Sequence, residues 1–133
     1  MHRLATRAVV IVLAILVVVL VAGCGGSSGG SAIQKPSASK AVGMLGSLTV
    51  IDVRTPAEYA AGHIAGAQNI DVEAADFGTR IAALDKKATY LVYCRSGNRS
   101  GMAATQMAAA GFTSIVDGGA MADLVAAGAK SQP

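Results

Sequence analysis

The sequence predicts a single α/β domain in three layers, with a parallel sheet covered by helices on both faces. Its 133 residues leave room for one compact domain, since domains usually contain roughly 100–200 residues. Short β-branched apolar segments alternate along the chain with segments that carry helix signals, which is typical of a parallel sheet. The chain has no tryptophan and only 4% aromatic residues, so its core should consist mainly of aliphatic side chains.

The individual elements follow from local patterns. In chain order the prediction is helix 39–45, strand 48–53, helix 55–62, strand 67–70, helix 76–84, strand 89–93, helix 100–110, strand 113–116 and helix 121–127. The second helix has the clearest start, because a capping Thr55 is followed by Pro56 and by the acid Glu58 in the first turn. Gly118 and Gly119 are expected to end the last strand.

The first 24 residues have the layout of a secretory signal. Arg3 and Arg7 precede a 15-residue apolar run over residues 8–22, and Cys24 follows two small residues later. An uncleaved transmembrane anchor is the alternative, but a membrane-spanning helix needs about 20 apolar residues. The segment that ends at Cys24 resembles the bacterial lipobox, which implies a lipid on that sulfur. We therefore expect removal of residues 1–23 and a membrane-attached domain on the extracytoplasmic side.

Three further segments complete the predicted organisation. In the segment 24–37, Cys24 is followed by glycine and serine over residues 25–31, which offer little apolar surface to bury, so we predict a flexible tether. Residues 38–128 should form the domain. Residues 129–133 should be a disordered tail.

The charge pattern gives no reason to expect a nucleic-acid partner. Two of the eleven basic residues lie before Cys24, which leaves nine against eight acidic residues in the rest of the chain. The basic residues are scattered and are not interleaved with aromatic ones, whereas nucleic-acid binding needs a concentrated positive surface.

Cys94 is the candidate nucleophile. If a lipid occupies Cys24, Cys94 is the remaining cysteine of a chain in a compartment that favours disulfides. A single thiol of this kind suggests a specific role. An intermolecular disulfide and a buried structural cysteine are the alternatives to catalysis. The residue follows a predicted strand and precedes a polar loop with Arg95 and Arg99, which leads into a helix. The positive end of that helix and the two arginines should favour the nucleophilic thiolate.

Two segments resemble the signatures of the rhodanese family of sulfurtransferases. Residues 52–67, with the sequence DVRTPAEYAAGHIAGA, are similar to the first signature of the family, and residues 94–100, with the sequence CRSGNRS, are similar to its active-site loop. The resemblance extends over residues 39–128 and implies a rhodanese-like fold.

The resemblance also implies a reaction. Cys94 would attack the outer sulfur of a donor such as thiosulfate, carry that sulfur as a persulfide and pass it to a thiol or to cyanide. The residues that would bind substrate follow Cys94 in the loop: Arg95, Ser96, Gly97, Asn98, Arg99 and Ser100. We expect neither a cofactor nor a metal, and as partners only small-molecule donors and acceptors and the membrane.

Four residues of the first signature are expected to be structural. Asp52, Arg54 and Glu58 should form ion pairs that hold the end of the sheet together. His63 lies in a turn, where a histidine is more often hydrogen-bonded than catalytic, and a thiolate that is already ionised needs no base.

Other functions remain possible at this level. A non-catalytic binding or redox-sensing module at the membrane surface would use the same fold without turnover. A phosphatase or arsenate reductase loop has five residues between its cysteine and its arginine, whereas four residues separate Cys94 from Arg99.

The chain departs from the rhodanese pattern at one position. The rhodanese family usually has a tryptophan four residues after its glycine pair, where this chain has Asp123.

Overall fold

A computed structural model describes residues 30–133 of the chain. The predicted signal peptide over residues 1–23, the lipid site at Cys24 and the first part of the tether lie outside the described residues. Within residues 30–133, no helix is both long enough and apolar enough to cross a membrane.

The described residues form five helices and seven strands. The helices are α1 (Ala38–Met44), α2 (Pro56–Ala60), α3 (Phe77–Ala82), α4 (Asn98–Ala109) and α5 (Met121–Ala126). The strands are β1 (Ile33–Gln34), β2 (Thr49–Asp52), β3 (His63–Ile64), β4 (Gln68–Asn69), β5 (Thr89–Cys94), β6 (Ser114–Ala120) and β7 (Ser131–Gln132).

Five strands build a parallel sheet in the order β1-β6-β5-β2-β4, with β5 at its centre. One face is covered by α3 and α4, whose side chains Phe77, Ile81 and Met107 pack on the sheet. The other face is covered by α1 and α5, which contribute Ala41 and Leu124. The predicted three-layer α/β architecture is confirmed. Because the strands are parallel, the residues that follow β2, β5 and β6 all lie at one edge of the sheet.

The helix that follows β2 begins as its sequence predicts. Thr55 accepts a hydrogen bond from the Glu58 amide at 3.3 Å, and the Glu58 carboxylate accepts one from the Thr55 amide at 3.1 Å. This capping box, with Pro56 in the first turn, satisfies two backbone donors that the helix leaves unpaired.

Two segments that we predicted to be flexible contain strands. Ile33–Gln34, inside the predicted tether, pairs with β6, and Ser131–Gln132, inside the predicted disordered tail, pairs antiparallel with His63–Ile64. Strands of two residues gain main-chain hydrogen bonds from a neighbouring edge and need no apolar alternation of their own. Their sequences therefore carry no strand signal.

The glycine pair does not end the last strand as predicted, because β6 continues through it to Ala120. Gly118 forms a bulge: Val92 lies opposite Asp117, whereas Tyr93 lies opposite Gly119. A Cβ atom on Gly118 would lie 2.8 Å from Leu91 Cδ2 and 3.2 Å from the Val92 carbonyl oxygen. Only glycine fits at this close approach of two strands.

Candidate active site

Cys94 is the last residue of the central strand β5 and lies at the edge of the sheet where the helices begin. It is fully buried, and its Sγ accepts a hydrogen bond from the Gly97 amide at 3.0 Å. The chain therefore turns back over the sulfur within three residues. This places a backbone donor directly on the group that would carry negative charge.

The loop over residues 95–97 leads from Cys94 into the 12-residue helix α4. Gly97 precedes the helix with φ of +95°, a left-handed conformation that side chains other than glycine adopt only with strain. The Ser100 hydroxyl donates to the Gly97 carbonyl oxygen at 3.0 Å and so stabilises the turn. The first amides of α4 have no partner within the helix, and they lie at its positive end. Arg95, Ser96 and Asn98 are exposed around this turn.

Arg99 is engaged by acidic residues from other parts of the chain. Its Nη1 and Nη2 donate to the two carboxylate oxygens of Glu58 at 2.7 and 2.8 Å, and Nη1 also lies 3.3 Å from Glu73 Oε2. The hydrogen bond from Arg99 is the main reason why the pKa of Glu58 falls from 4.5 to about 2. The same bond raises the pKa of Arg99. Glu58 thus forms an ion pair, as expected, but its partner is the loop arginine Arg99.

We expect the Glu58–Arg99 pair to stabilise the fold in a pH-dependent way. Because the pKa of Glu58 is lower in the folded chain than its usual 4.5, this stabilisation is present above pH 4.5 and is lost as the pH falls towards about 2. Glu58→Gln should lower the free energy of unfolding by about 1–2 kcal/mol near neutral pH and by less at acid pH. Urea denaturation from neutral to acid pH measures the difference.

Glu73→Gln is the matched control for that experiment. The Glu73 side chain is 57% exposed and makes only the longer contact to Arg99, so we expect a change below about 0.5 kcal/mol at every pH. Equal effects of the two substitutions would contradict the assignment of the Glu58 contact as the stabilising one.

Asp52 and Arg54 form a buried ion pair at the end of β2. Asp52 is fully buried and accepts from the Arg54 amide, Nε and Nη2 and from the Tyr93 hydroxyl. The hydrogen bond with Asp52 raises the pKa of Arg54, and burial raises that of Tyr93. Tyr93 also accepts from the Ile64 amide at 2.9 Å, so it links the end of β5 to β2 and β3. The sequence indicated the pair but not Tyr93, whose position beside Cys94 was the available signal.

His63 is held by hydrogen bonds on both ring nitrogens. Nδ1 lies 3.0 Å from the Tyr59 carbonyl oxygen, to which it can donate, and Nε2 lies 3.1 Å from Gln132 Nε2, from which it can accept. The ring also stacks on Tyr59, with a centroid distance of 3.7 Å. His63 is 5% exposed and joins α2 to the strand β7, so its contacts are those of a structural residue.

A groove of about 580 Å³ opens beside the loop. Its lining consists of Arg54 and Arg95, of Met121, Ala122, Val125 and Ala126 on α5, and of Ser131 on β7. No sequence signal marked this groove, because its lining residues come from four separate segments. Asp123 also belongs to α5, but it is exposed and is not part of the lining.

The structure thus brings the predicted residues together in two groups. Cys94 and residues 95–100 form a tight turn of amides at the start of α4. From the first signature, Glu58 contacts that turn through its ion pair with Arg99. The other members of the signature make hydrogen bonds that stabilise β2 and α2 next to the turn. A buried thiol under a backbone amide, at the positive end of a helix, is an arrangement that can hold a negatively charged sulfur.

These features define an α/β domain with a cysteine at a strand end, followed by a turn of backbone amides at the start of a helix. A comparison with protein families matches residues 37–122 to the family described as the rhodanese-like domain. The match covers more than half of the chain, so the chain belongs to the rhodanese-like family, as the sequence signatures predicted.

Individual relatives agree with this assignment. A thiosulfate sulfurtransferase GlpE of Pseudomonas fluorescens is 45% identical over 73 residues, which cover 53% of this chain and 64% of that protein. The thiosulfate sulfurtransferase PspE of Escherichia coli is 35% identical over 74 residues, or 56% of this chain and 71% of the relative. A solved rhodanese with anions from E. coli matches with a TM-score of 0.56 and 30% identity, over 65% of this chain and 100% of that one.

Proposed function

We propose that this protein is a thiosulfate sulfurtransferase that carries sulfane sulfur as a persulfide on Cys94. The observation that carries the proposal is the hydrogen bond from the Gly97 amide to Cys94 Sγ at 3.0 Å, inside the turn that starts α4. The names of the GlpE and PspE relatives support the choice of thiosulfate as donor.

In the first half of the reaction, the Cys94 thiolate attacks the outer sulfur of thiosulfate. The S–S bond of thiosulfate breaks, sulfite leaves with the electron pair, and the outer sulfur stays on Cys94 as a persulfide anion. Amides at the start of α4 would stabilise that anion. Arg95 is exposed next to Cys94 and is available to the sulfonate of the donor, whereas Arg99 is committed to Glu58 and acts by shaping the turn.

In the second half, an acceptor thiolate or cyanide attacks the outer sulfur of the persulfide. The Cys94 S–S bond breaks, and the Cys94 thiolate is regenerated with a persulfide of the acceptor, or thiocyanate, as product. No electron has to enter or leave the protein, so the cycle needs no cofactor.

Intact mass spectrometry tests the proposal directly. After exposure to thiosulfate the protein should gain the mass of one sulfur atom, and cyanide should remove it.

The turn should be too small for a phosphoryl group on Cys94, because four residues separate Cys94 from Arg99. We therefore expect negligible hydrolysis of an aryl phosphate by the same sample. Robust phosphatase turnover, or no gain of sulfur, would overturn the assignment.

We also propose that the protein is exported and anchored by a lipid on Cys24, as the leader sequence suggests. In a bacterial host, Cys24→Ala should leave an unprocessed precursor that incorporates no labelled fatty acid, whereas the unchanged chain should be cleaved and labelled. Lipid label that persists in the variant would contradict this location of the anchor.

A further inference from the structure

We infer that Asp117 is a positioning residue of the site, which holds the turn after Cys94 in the conformation that directs the Gly97 amide to the sulfur. The inference rests on the proposed function and adds to it a residue that lies outside residues 52–67 and 94–100. It follows from the burial of Asp117, from the contacts of its two carboxylate oxygens and from the packing of Gly119 against Gly97.

Asp117 is a buried carboxylate on the same face of the sheet as the sulfur. It is only 4% exposed, although acidic side chains are seldom buried without partners. On β6, Ile115 and Val116 belong to the cores on opposite faces, so alternation places Asp117 on the face of Ile115, where Cys94 also packs. Lys35 lies 3.4 Å from Oδ2, but its side chain is 68% exposed, and so exposed a partner is a weak reason to bury a charge.

One carboxylate oxygen of Asp117 holds the bulge in β6. Oδ1 accepts a hydrogen bond from the Gly119 amide at 3.1 Å, across Gly118. An aspartate that accepts from the amide two residues later closes a local turn, and here that turn is the bulge, since Tyr93 lies opposite Gly119. Gly119 has a φ of +74°, a left-handed conformation that this hydrogen bond helps to fix. Asp117 thus determines where the backbone of Gly119 lies.

The other carboxylate oxygen of Asp117 faces α4. A Cβ atom on Gly101 would lie 3.8 Å from Oδ2, so the carboxylate is close to the first residues of that helix. Because this end of a helix is positive, a negative charge beside it is stabilised. Asp117 therefore contacts both elements that border the catalytic turn, the end of β6 and the start of α4.

The backbone that Asp117 holds packs against the turn after Cys94. A Cβ atom on Gly97 would lie 3.7 Å from Gly119 Cα and 3.9 Å from the Ala120 amide nitrogen. The Gly97 amide itself donates to Cys94 Sγ at 3.0 Å. A displacement of Gly119 would therefore reach the hydrogen bond on sulfur, and such donors contribute most when they are fixed before the reaction begins. Asp117 acts on the sulfur through these two backbone segments.

Asp117→Ala removes the acceptor of the Gly119 amide. The rate constant for loading of Cys94 by thiosulfate, followed by intact mass, should fall by about ten- to a hundredfold, because the Gly97 amide is no longer fixed on the sulfur. The nuclear magnetic resonance signal of the Gly97 amide proton should shift upfield, as for a weakened hydrogen bond. Asp117→Asn keeps an oxygen that can accept from Gly119, so it should load within about threefold of the unchanged protein and keep the Gly97 shift.

Asp85→Ala is the matched control. Asp85 Oδ1 also accepts from the amide two residues later, that of Lys87 at 2.9 Å, but this turn precedes β5 at the opposite edge of the sheet. The control should leave the loading rate and the amide shift unchanged, whatever its effect on stability. Lys35→Met removes the exposed partner of Asp117, and its loading rate should stay within about twofold of that of the unchanged protein.

The outcomes separate this inference from the proposed function. If the unchanged protein gains no sulfur, the proposed function fails, and the Gly97 shift in Asp117→Ala decides the positioning role by itself. If Asp117→Ala loads as fast as Asp117→Asn, leaves the Gly97 shift unchanged or has no larger effect than Lys35→Met, Asp117 does not position the turn. Should Asp117→Ala fail to fold, Asp117→Ser replaces it, and its weaker turn should give a smaller change in the same direction.

Discussion

Cys94→Ser should abolish sulfur loading and lower the rate of sulfur transfer from thiosulfate to cyanide by at least about a thousandfold. A serine hydroxyl at this position is a weak nucleophile without an adjacent base, and it cannot form a stable bond to sulfane sulfur. The variant should fold, because the Gly97 amide that donates to Sγ can donate to a hydroxyl oxygen in its place. Intact mass after thiosulfate treatment and a thiocyanate assay measure the two effects.

Cys24→Ser is the matched control, since the chain has two cysteines. It should load one sulfur atom and turn over at the rate of the unchanged protein. If sulfur loading survived in Cys94→Ser and were lost in Cys24→Ser, the sulfur carrier would be Cys24 and the proposal would be wrong.

Asp52→Asn should lower the free energy of unfolding by about 3–5 kcal/mol. The carboxylate is fully buried and receives hydrogen bonds from Arg54 and Tyr93, and its loss leaves the Arg54 guanidinium, which is 9% exposed, without a counter-ion. Urea denaturation at neutral pH measures the change. This is a large part of the 5–15 kcal/mol that stabilises a typical domain.

Two comparisons test the reason for that loss. Asp76→Asn alters an exposed acid that makes no capping hydrogen bond, and it should change the stability by less than about 0.5 kcal/mol. The double variant Asp52→Asn with Arg54→Met removes the unpaired cation and should recover part of the stability. A double variant that is less stable than Asp52→Asn would contradict the explanation.

The parts of the fold that sequence predicted are those with local causes. The capping box of Thr55 and Glu58 and the β-branched run that became β2 are encoded within a few neighbouring residues, and both were found within two residues of their predicted positions. Strands β3 and β7 were missed because each consists of two residues that pair only with one another. The continuation of β6 through Gly118 was missed because it depends on how closely Gly118 approaches Leu91 and Val92 on β5, which a pattern along the chain does not contain.

The same distinction applies to the site. The position of Cys94 and its turn follow from one continuous segment, so sequence sufficed. The partner of Arg99 did not follow, because Glu58 lies 41 residues earlier and several other acids were equally plausible partners. The groove was invisible in the sequence because no single segment contains more than a few of its lining residues.

The bulge at Gly118 inserts one extra residue into β6 just before the segment that pairs with Cys94. Side chains alternate between the two faces of a strand, so an extra residue in β6 reverses which face each later residue presents. Because this change comes after Asp117 and before Met121, it sets how α5 begins relative to Cys94, and it also positions Gly119 and Ala120, whose backbone packs against Gly97 in the turn after Cys94. A residue inserted or deleted here should therefore shift the start of α5 and the backbone that packs on the turn after Cys94 at the same time.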